Sequence, residues 1–124
     1  MASRKLTDLC PELQAIVPKF VEACAELGID ALIYCTWRGE AEQNKAFAEG
    51  KSKLKYPKSK HNAIDENGKP AARAFDAVPY KGRTCQWSDV SSYEKMGEIA
   101  ENLGLEWGGR WGKFRDRPHF QLRE

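Results

Sequence analysis

The sequence predicts a single domain of the α+β class. Amphipathic helical patterns interleave with short apolar runs typical of strands, but they do not form the regular βαβ units of an α/β protein. A length of 124 residues fits one domain covering 1–124 rather than two domains. A chain of this size buries roughly two-thirds of its unfolded surface, which is enough to build a core without disulfide bonds or a structural metal.

The first predicted element is a helix over residues 11–27, which Gly28 ends. Pro18 interrupts the backbone hydrogen bonds of this segment, so we expect either a kink there or a helix that starts at Pro18. The apolar residues at helical spacing are Leu13, Ile16, Val17, Phe20, Val21, Cys24 and Leu27.

A strand is predicted over 29–36, followed by a short helix over 40–49 with Ala46 and Phe47 facing inward. Periodicity then disappears between residues 51 and 70, where glycine, proline, asparagine and lysine dominate. We therefore predict a long loop, with a turn at Asn67-Gly68.

The last predicted elements are a second strand over 72–78, a helix and two short strands. Ser91 and Glu94 form a capping-box pattern at the start of the helix, which Gly104 ends. The tail over 105–122 mixes aromatic residues with glycine, and we expect two short strands joined by a loop.

The composition excludes several classes of protein. With 41% hydrophobic and 31% charged residues, the chain is neither disordered nor collagen-like, and no apolar run suits a membrane-spanning helix, so we expect no membrane insertion. The net charge of +2 argues against nucleic acid as the main partner. The basic N-terminus lacks the apolar segment of a secretory signal, which predicts a protein made in the cytoplasm.

No C-x-x-C pattern is present, which argues against a metal knuckle or a redox pair. The cysteines are predicted to be buried free thiols, with disulfide bonds as the alternative. They are Cys10, Cys24, Cys35 and Cys85.

Candidate chemistry lies in four stretches, 34–38, 59–61, 74–76 and 116–120. The chain has only two histidines. Catalytic zinc needs three protein ligands and one open position, and two histidines with one carboxylate are a common set. A zinc site in this chain would therefore use both histidines, although a histidine on its own is more often structural.

The ordered motifs of these stretches resemble those of zinc peptidases that cut bacterial cell-wall peptides. The chain is most similar to the bacteriophage L-alanyl-D-glutamate endopeptidases, or endolysins. These belong with the D-alanyl-D-alanine carboxypeptidases to the Hedgehog/DD-peptidase fold group, which implies a small antiparallel sheet with helices packed against it. The residues that match are Ser59-Lys60-His61, Ala74-Phe75-Asp76, and Asp116 three positions before His119 within the closing segment WGGRWGKFRDRPHF.

The resemblance implies a role for each matching residue. It implies that Zn²⁺ is bound by His61, Asp76 and His119, and that Asp116 is the general base that takes a proton from the attacking water. Arg38 would hold the substrate or polarise the scissile carbonyl, and Ser59 would lie beside the metal and orient a ligand or the substrate.

The spacing between the first histidine and the aspartate departs from the family, since fourteen residues separate His61 from Asp76. The extra residues, roughly 64–71, suit a loop between two fixed ends, because extending a loop costs little entropy. Asp65 is a rival ligand nearer to His61. We prefer Asp76 because 74–79 matches the family's strand, whereas Asp65 lies in turn-like sequence.

The resemblance also implies a function. We expect a monomeric phage or prophage endolysin that hydrolyses the peptidoglycan stem peptide between L-alanine and D-glutamate and has no separate wall-binding domain. A holin would release it from the cytoplasm to the periplasm and cell wall. Two alternatives stay open: a D-alanyl-D-alanine carboxypeptidase or dipeptidase, and a non-catalytic module of the same fold that binds zinc or cell wall.

Several further residues have both a functional and an ordinary interpretation. The lysines at 51, 53, 55, 58 and 60 suit either an anionic polymer or a solvated loop. The tryptophans at 107 and 111 suit either a substrate groove or the core, and the arginines at 110, 115 and 117 suit either a substrate carboxylate or plain surface. Gln43 is a candidate for bracing the site.

Overall fold

The computed structural model describes residues 2–123, which form three α-helices and five β-strands. In chain order these are α1 (Pro11–Glu26), β1 (Ala31–Cys35), α2 (Glu40–Ala48), β2 (Ala74–Lys81), β3 (Thr84–Cys85), α3 (Val90–Asn102), β4 (Leu105–Trp107) and β5 (His119–Leu122). Single turns of 3-10 helix lie at Leu6–Asp8, Lys60–Asn62 and Gly108–Arg110.

The sheet is antiparallel, with strand order β1-β2-β5-β4, and β3 forms a short ribbon with the end of β2. In the register of β2 and β5, Phe75 lies opposite Phe120 and Asp76 lies opposite His119. Because successive side chains of a strand point to opposite faces, the phenylalanine pair and the Asp76–His119 pair occupy different faces of the sheet. The predicted α+β class with an antiparallel sheet is confirmed.

The core lies between the sheet and helices α1 and α3. Phe20 of α1 packs against Phe75 and Phe120, with ring centroids 5.4 Å and 5.0 Å apart, and the two strand phenylalanines stack at 5.3 Å. All three rings are fully buried. This aromatic cluster fixes β2 against β5, and so fixes the register that pairs Asp76 with His119.

Helix α1 is continuous from Pro11 to Glu26, so the alternative of a helix that starts at Pro18 is wrong. Pro18 is exposed, which leaves the unpaired carbonyl of the preceding turn on the solvent side. The buried face carries the predicted residues Leu13, Val17, Phe20 and Cys24.

Two details of the predicted helices are wrong. Helix α3 is capped by Asp89 rather than Ser91, since the Asp89 carboxylate accepts hydrogen bonds from Ser92 N (3.2 Å) and Ser92 Oγ (2.6 Å). In α2, Phe47 is 37% exposed and Gln43 is the fully buried residue. The reason is that α2 faces a polar cluster rather than the apolar core.

The cysteines within residues 2–123 are free thiols, as predicted, and three of the four are buried. Over the same residues, no helix has both the length and the apolar character needed to cross a membrane.

Candidate metal centre

The structure brings His61, Asp76 and His119 together at one point. Asp76 Oδ1 lies 3.3 Å from His61 Nε2 and 3.4 Å from His119 Nδ1, and the two imidazole centroids are 5.2 Å apart. Asp76 and His119 come from paired strands, whereas His61 lies on the 3-10 turn Lys60–Asn62. The residues predicted as metal ligands therefore converge from three separate segments of the chain.

The donor atoms of this cluster are suited to a divalent metal ion. His61 Nε2 and Asp76 Oδ1 are buried and have no hydrogen-bond partner among residues 2–123. The other ring nitrogens are held: His61 Nδ1 donates to Thr36 O at 2.8 Å, and His119 Nε2 lies 2.8 Å from Gln121 Oε1. A hydrogen bond from one ring nitrogen fixes the tautomer and leaves the other nitrogen available as a ligand. Two imidazoles and a carboxylate fit zinc.

The electrostatics of the cluster keep the carboxylate ionised. Burial lowers the pKa of His61, but the neighbouring Asp76 carboxylate outweighs this effect and raises the pKa to about 10. Burial raises the pKa of Asp76, yet the charge of the neighbouring His61 and the proximity of both imidazoles bring that pKa below its ordinary range. A metal ion bound here would take the place of a proton on His61, so metal binding would release protons.

Asp116 lies close to this cluster on the loop that precedes β5. Its backbone N–H donates to Gly108 O at 3.0 Å, and a Cβ on Gly108 would lie 2.4 Å from Asp116 O, so the loop needs glycine at 108. Trp107 Nε1 donates to Arg117 O at 2.8 Å and fixes the same loop. Burial and the charge of Asp76 raise the pKa of the Asp116 carboxyl. A carboxyl with a raised pKa is a stronger proton acceptor than one with an ordinary pKa.

Arg38 also contacts the cluster. Its Nη2 lies 3.4 Å from Asp76 Oδ2, and its Nη1 donates to Gln43 Oε1 at 3.1 Å. Burial alone would lower the pKa of the guanidinium, but the negative charge of Asp76 acts in the opposite direction, and the net pKa is above its ordinary value. Arg38 therefore stays a cation. Ser59 acts differently: its Oγ accepts a hydrogen bond from His61 N at 3.2 Å and caps the turn that presents the histidine. A direct contact of Ser59 with substrate stays a prediction.

Gln43 links Arg38 to the turn that carries His61. Its Oε1 accepts from Arg38 Nη1 and, at 3.2 Å, from Asn62 Nδ2, while its Nε2 donates to Leu54 O (2.6 Å) and Ser52 Oγ (3.0 Å). The side chain is completely buried and uses both its acceptor and its donor group. The sequence indicated Gln43 only as a candidate for bracing the site, and these contacts are consistent with that role.

Replacing Gln43 with leucine is expected to reduce kcat/KM by about tenfold, because the Arg38 guanidinium and the buried Asn62 amide each lose an acceptor. Zinc content should stay at the wild-type level, since no ligand is changed. The measurements are steady-state kinetics and metal analysis of the purified variant. Gln14→Leu on α1 is the matched control, because Gln14 also bonds to a backbone carbonyl but lies away from the site. Equal kinetics for the two variants would contradict a bracing role for Gln43.

Cys35 is a residue of the site that the sequence did not indicate, because a cysteine in an apolar run predicts packing. A bulge between Ile33 and Cys35 places Cys35 opposite Asp76 in the strand register, and ligand atoms of Cys35, His61 and Asp76 lie within 4.8 Å of one another. The thiol is 3.8 Å from His61 Nδ1, the nitrogen that already donates to Thr36 O. It therefore lies beside the imidazole nitrogen that bonds to Thr36, whereas His119 Nδ1 lies 3.4 Å from the unpartnered Asp76 Oδ1.

Asp65, the rival ligand, lies elsewhere. It is exposed, and its Oδ1 accepts hydrogen bonds from Asn67 N (2.8 Å) and Lys69 N (2.9 Å), which closes the turn at the tip of the 64–71 loop. Of the two candidate metal ligands, Asp76 is the one that lies beside both histidines.

Two cavities of about 530 Å³ and 390 Å³ flank the cluster. Arg38, Lys51, Phe114 and Asp116 line both of them, so the two cavities adjoin beside the candidate metal centre, and we call the pair the groove. Trp111 lies at this groove, 5.1 Å from the His119 ring, whereas Trp107 is a core residue. Arg110 pairs with Glu101 at the surface, at 3.0 Å, and Arg115 lines the larger cavity.

Two histidines and two carboxylates lie beside the groove, and comparison with known proteins identifies the class of protein as a peptidase. Residues 33–122 match the family model described as D-alanyl-D-alanine carboxypeptidase. The chain belongs to this peptidase family and is a hydrolase. The family resemblance stated from the motifs is confirmed.

Two curated relatives are also peptidases. The chain is 32% identical over 128 residues to the peptidoglycan L-alanyl-D-glutamate endopeptidase CwlK of Bacillus subtilis (strain 168), covering 94% of this chain and 74% of the relative. It is also 32% identical over 116 residues to the L-alanyl-D-glutamate peptidase of Listeria phage A118, where the match covers 92% of this chain but 38% of that protein.

A solved structure has the same fold. The crystal structure of the Serratia marcescens L-Ala D-Glu endopeptidase ChiX superposes with a TM-score of 0.69 and 21% identity, covering 99% of this chain and 89% of that one.

Proposed function

We propose that the chain is a zinc-dependent peptidoglycan endopeptidase that hydrolyses the bond between L-alanine and D-glutamate in the stem peptide. The observation that carries the proposal is the convergence of His61 Nε2, Asp76 Oδ1 and His119 Nδ1 beside a groove that Asp116 lines. Both curated relatives described above have names that state L-alanyl-D-glutamate peptidase activity.

In this proposal His61, Asp76 and His119 hold the zinc ion. Zinc held by these residues would supply a Lewis acid, which would polarise the amide carbonyl and lower the pKa of water. Asp116 accepts a proton from the attacking water and returns it to the leaving amine. Gly108 and Trp107 hold the backbone of the Asp116 loop, so the carboxylate is positioned before substrate binds. The cationic Arg38, braced by Gln43, is available to bind the substrate or the carbonyl oxygen.

The shape of the groove favours an internal bond over a terminal one. A D-alanyl-D-alanine carboxypeptidase, which the family description also suggests, has a substrate that ends one residue beyond the scissile bond. Here Asp116 lines two adjoining cavities, of about 530 Å³ and 390 Å³. Substrate can therefore extend in both directions, which supports the endopeptidase.

A digest of purified peptidoglycan tests the proposal. The expected products, identified by mass spectrometry, are peptides with D-glutamate at their amino terminus and muramic acid that keeps its L-alanine. A zinc chelator should abolish their release and added zinc should restore it, while circular dichroism shows that the metal-depleted chain stays folded.

Three results would contradict the proposal. Loss of only a terminal alanine would identify a carboxypeptidase, and undiminished release in chelator would exclude the metal mechanism. Binding of peptidoglycan without hydrolysis would favour the non-catalytic module.

A further inference from the structure

The groove has two arms of different chemistry. The lysine arm is the cavity of about 390 Å³, and the cations that only this arm contains are Lys53, Lys58 and Lys60. The aromatic arm is the cavity of about 530 Å³, whose outer wall contains Tyr34 and Trp87. We propose that the lysine arm binds the carboxylates of the stem peptide on the C-terminal side of the scissile bond. This inference rests on the proposed function, and it assigns a direction to the substrate.

The two arms meet at the residues that act on the substrate. Arg38, Lys51, Phe114 and Asp116 line both cavities. The lysine arm contains both histidines of the candidate metal centre, and the aromatic arm contains Asp76. A peptide whose scissile amide lies at the metal centre therefore sends its two ends into different arms.

The charge of the lysine arm is one-sided. The carboxylate that lines it is that of the shared Asp116, against four lysines and the shared Arg38. Lys51 is paired with Glu49 at 3.3 Å and Lys60 interacts with Glu106, so Lys53 and Lys58 are the lysines that carry the argument. Lys53 Nζ lies 5.1 Å from the centroid of the Phe114 ring, so this ammonium reaches the junction of the two arms. Lys55, two residues along the same loop, instead lies over Phe47 at 5.1 Å and lines neither cavity. The loop thus directs selected lysines into the groove.

The aromatic arm offers a different surface. Tyr34 and Trp87 pack edge to face with ring centroids 4.9 Å apart, and Trp87 is 50% exposed. Arg4 lies over the Tyr34 ring at 4.6 Å, and Arg115 also lines this arm. Exposed rings with an apolar body are suited to neutral, partly apolar groups.

The proposed substrate has the same asymmetry. On the C-terminal side of the L-alanyl-D-glutamate amide, D-glutamate carries a free α-carboxylate and is linked onward through its side-chain carboxyl to further charged residues. On the N-terminal side, L-alanine is joined to the neutral lactyl ether of a sugar. Charge complementarity fixes the orientation of a bound partner. The acidic half therefore enters the lysine arm, and the neutral sugar half enters the aromatic arm.

Two synthetic peptides test this assignment. Both contain an acylated L-alanyl-D-glutamate bond, and they differ only in whether the D-glutamate α-carboxyl is a free acid or a carboxamide. The zinc-loaded wild type should cleave the free acid with kcat/KM about tenfold higher than the carboxamide, mainly through a lower KM, as expected for two solvent-exposed ion pairs. Added salt should raise KM for the acid and leave KM for the carboxamide unchanged.

Amino-acid substitutions show which cations cause the preference for the free-acid peptide. The double substitution Lys53→Gln and Lys58→Gln should reduce the preference for the acid to about twofold or less, because cleavage of the acid falls more than cleavage of the carboxamide. Lys55→Gln is the matched control, and it should keep the full preference. A second comparison uses Arg4→Gln with Arg115→Gln, which removes the cations that only the aromatic arm contains.

The outcomes separate the subsite from the activity. Equal cleavage of both peptides by the wild type, or a preference that survives in the double lysine variant, would overturn the subsite while leaving the proposed function intact. A preference lost in the double arginine variant and kept in the double lysine variant would reverse the direction and overturn the assignment. Failure to cleave either peptide would count against the proposed function itself.

Discussion

Replacing Asp116 with asparagine is expected to lower kcat by about a thousandfold, the typical contribution of a positioned general base. Asparagine has nearly the same shape and keeps the backbone bond to Gly108, but it accepts no proton. Zinc content should be unchanged, because the predicted ligands are His61, Asp76 and His119. Asp30→Asn, an exposed position before β1, serves as the matched control. A variant with near-normal turnover would exclude Asp116 as the base.

The pH profile gives a second test of Asp116. Burial and the Asp76 charge raise the pKa of this carboxyl above its ordinary value of 3.8. Only the ionised form accepts a proton, so activity is present above the raised pKa and is lost as the pH falls through it. The kcat/KM profile should therefore show an acid limb, and the residual rate of Asp116→Asn should lack that limb. The same limb in the variant would assign it to another group.

Replacing Asp76 with asparagine is expected to remove zinc and activity together. The amide carries no charge to attract the cation, and it loses the carboxylate oxygen that lies 3.3 Å from His61 Nε2 and 3.4 Å from His119 Nδ1. Zinc affinity should fall by more than the roughly 10–100-fold that loss of an outer hydrogen-bond partner costs. Metal analysis after dialysis against a zinc buffer measures this.

Asp65→Asn is the matched control for Asp76, since Asp65 is the rival carboxylate on the same connecting segment. It should keep wild-type zinc content, because its side chain only closes a surface turn. Full zinc loading in Asp76→Asn together with loss in Asp65→Asn would assign the ligand to Asp65 instead.

The strands and helices were largely predictable because each has a local signature. The apolar stripe of α1, the glycines after α1 and α3, and the two short strands of the tail all depend on near neighbours in sequence. The cap of α3 was not predicted correctly because Asp89 and Ser91 are both good caps. The structure uses Asp89, whose carboxylate bonds to both the N–H and the hydroxyl of Ser92.

Only those residues of the candidate site that lie in a recognisable sequence motif could be predicted. His61, Asp76 and His119 were identified by resemblance, whereas their convergence depends on the β2–β5 register and on the turn capped by Ser59. The position of Cys35 depends on a β-bulge, and the role of Gln43 depends on residues up to nineteen positions away. Such long-range contacts leave no periodic pattern in the sequence, which is why Phe47 was wrongly expected to face inward.

The 64–71 loop has a practical consequence for protein engineering. Backbone hydrogen bonds from Arg73 N to Lys60 O and from Ala71 N to Ala63 O, both 2.9 Å, tie the ends of the connection between His61 and Asp76. Whatever lies between these bonds can change in length at about 0.6 kcal/mol per doubling, without moving either residue. The exposed turn at Asn67-Gly68 is therefore a place to insert an epitope or a fluorophore-labelling tag, which would report on the molecule while its chemistry continues undisturbed.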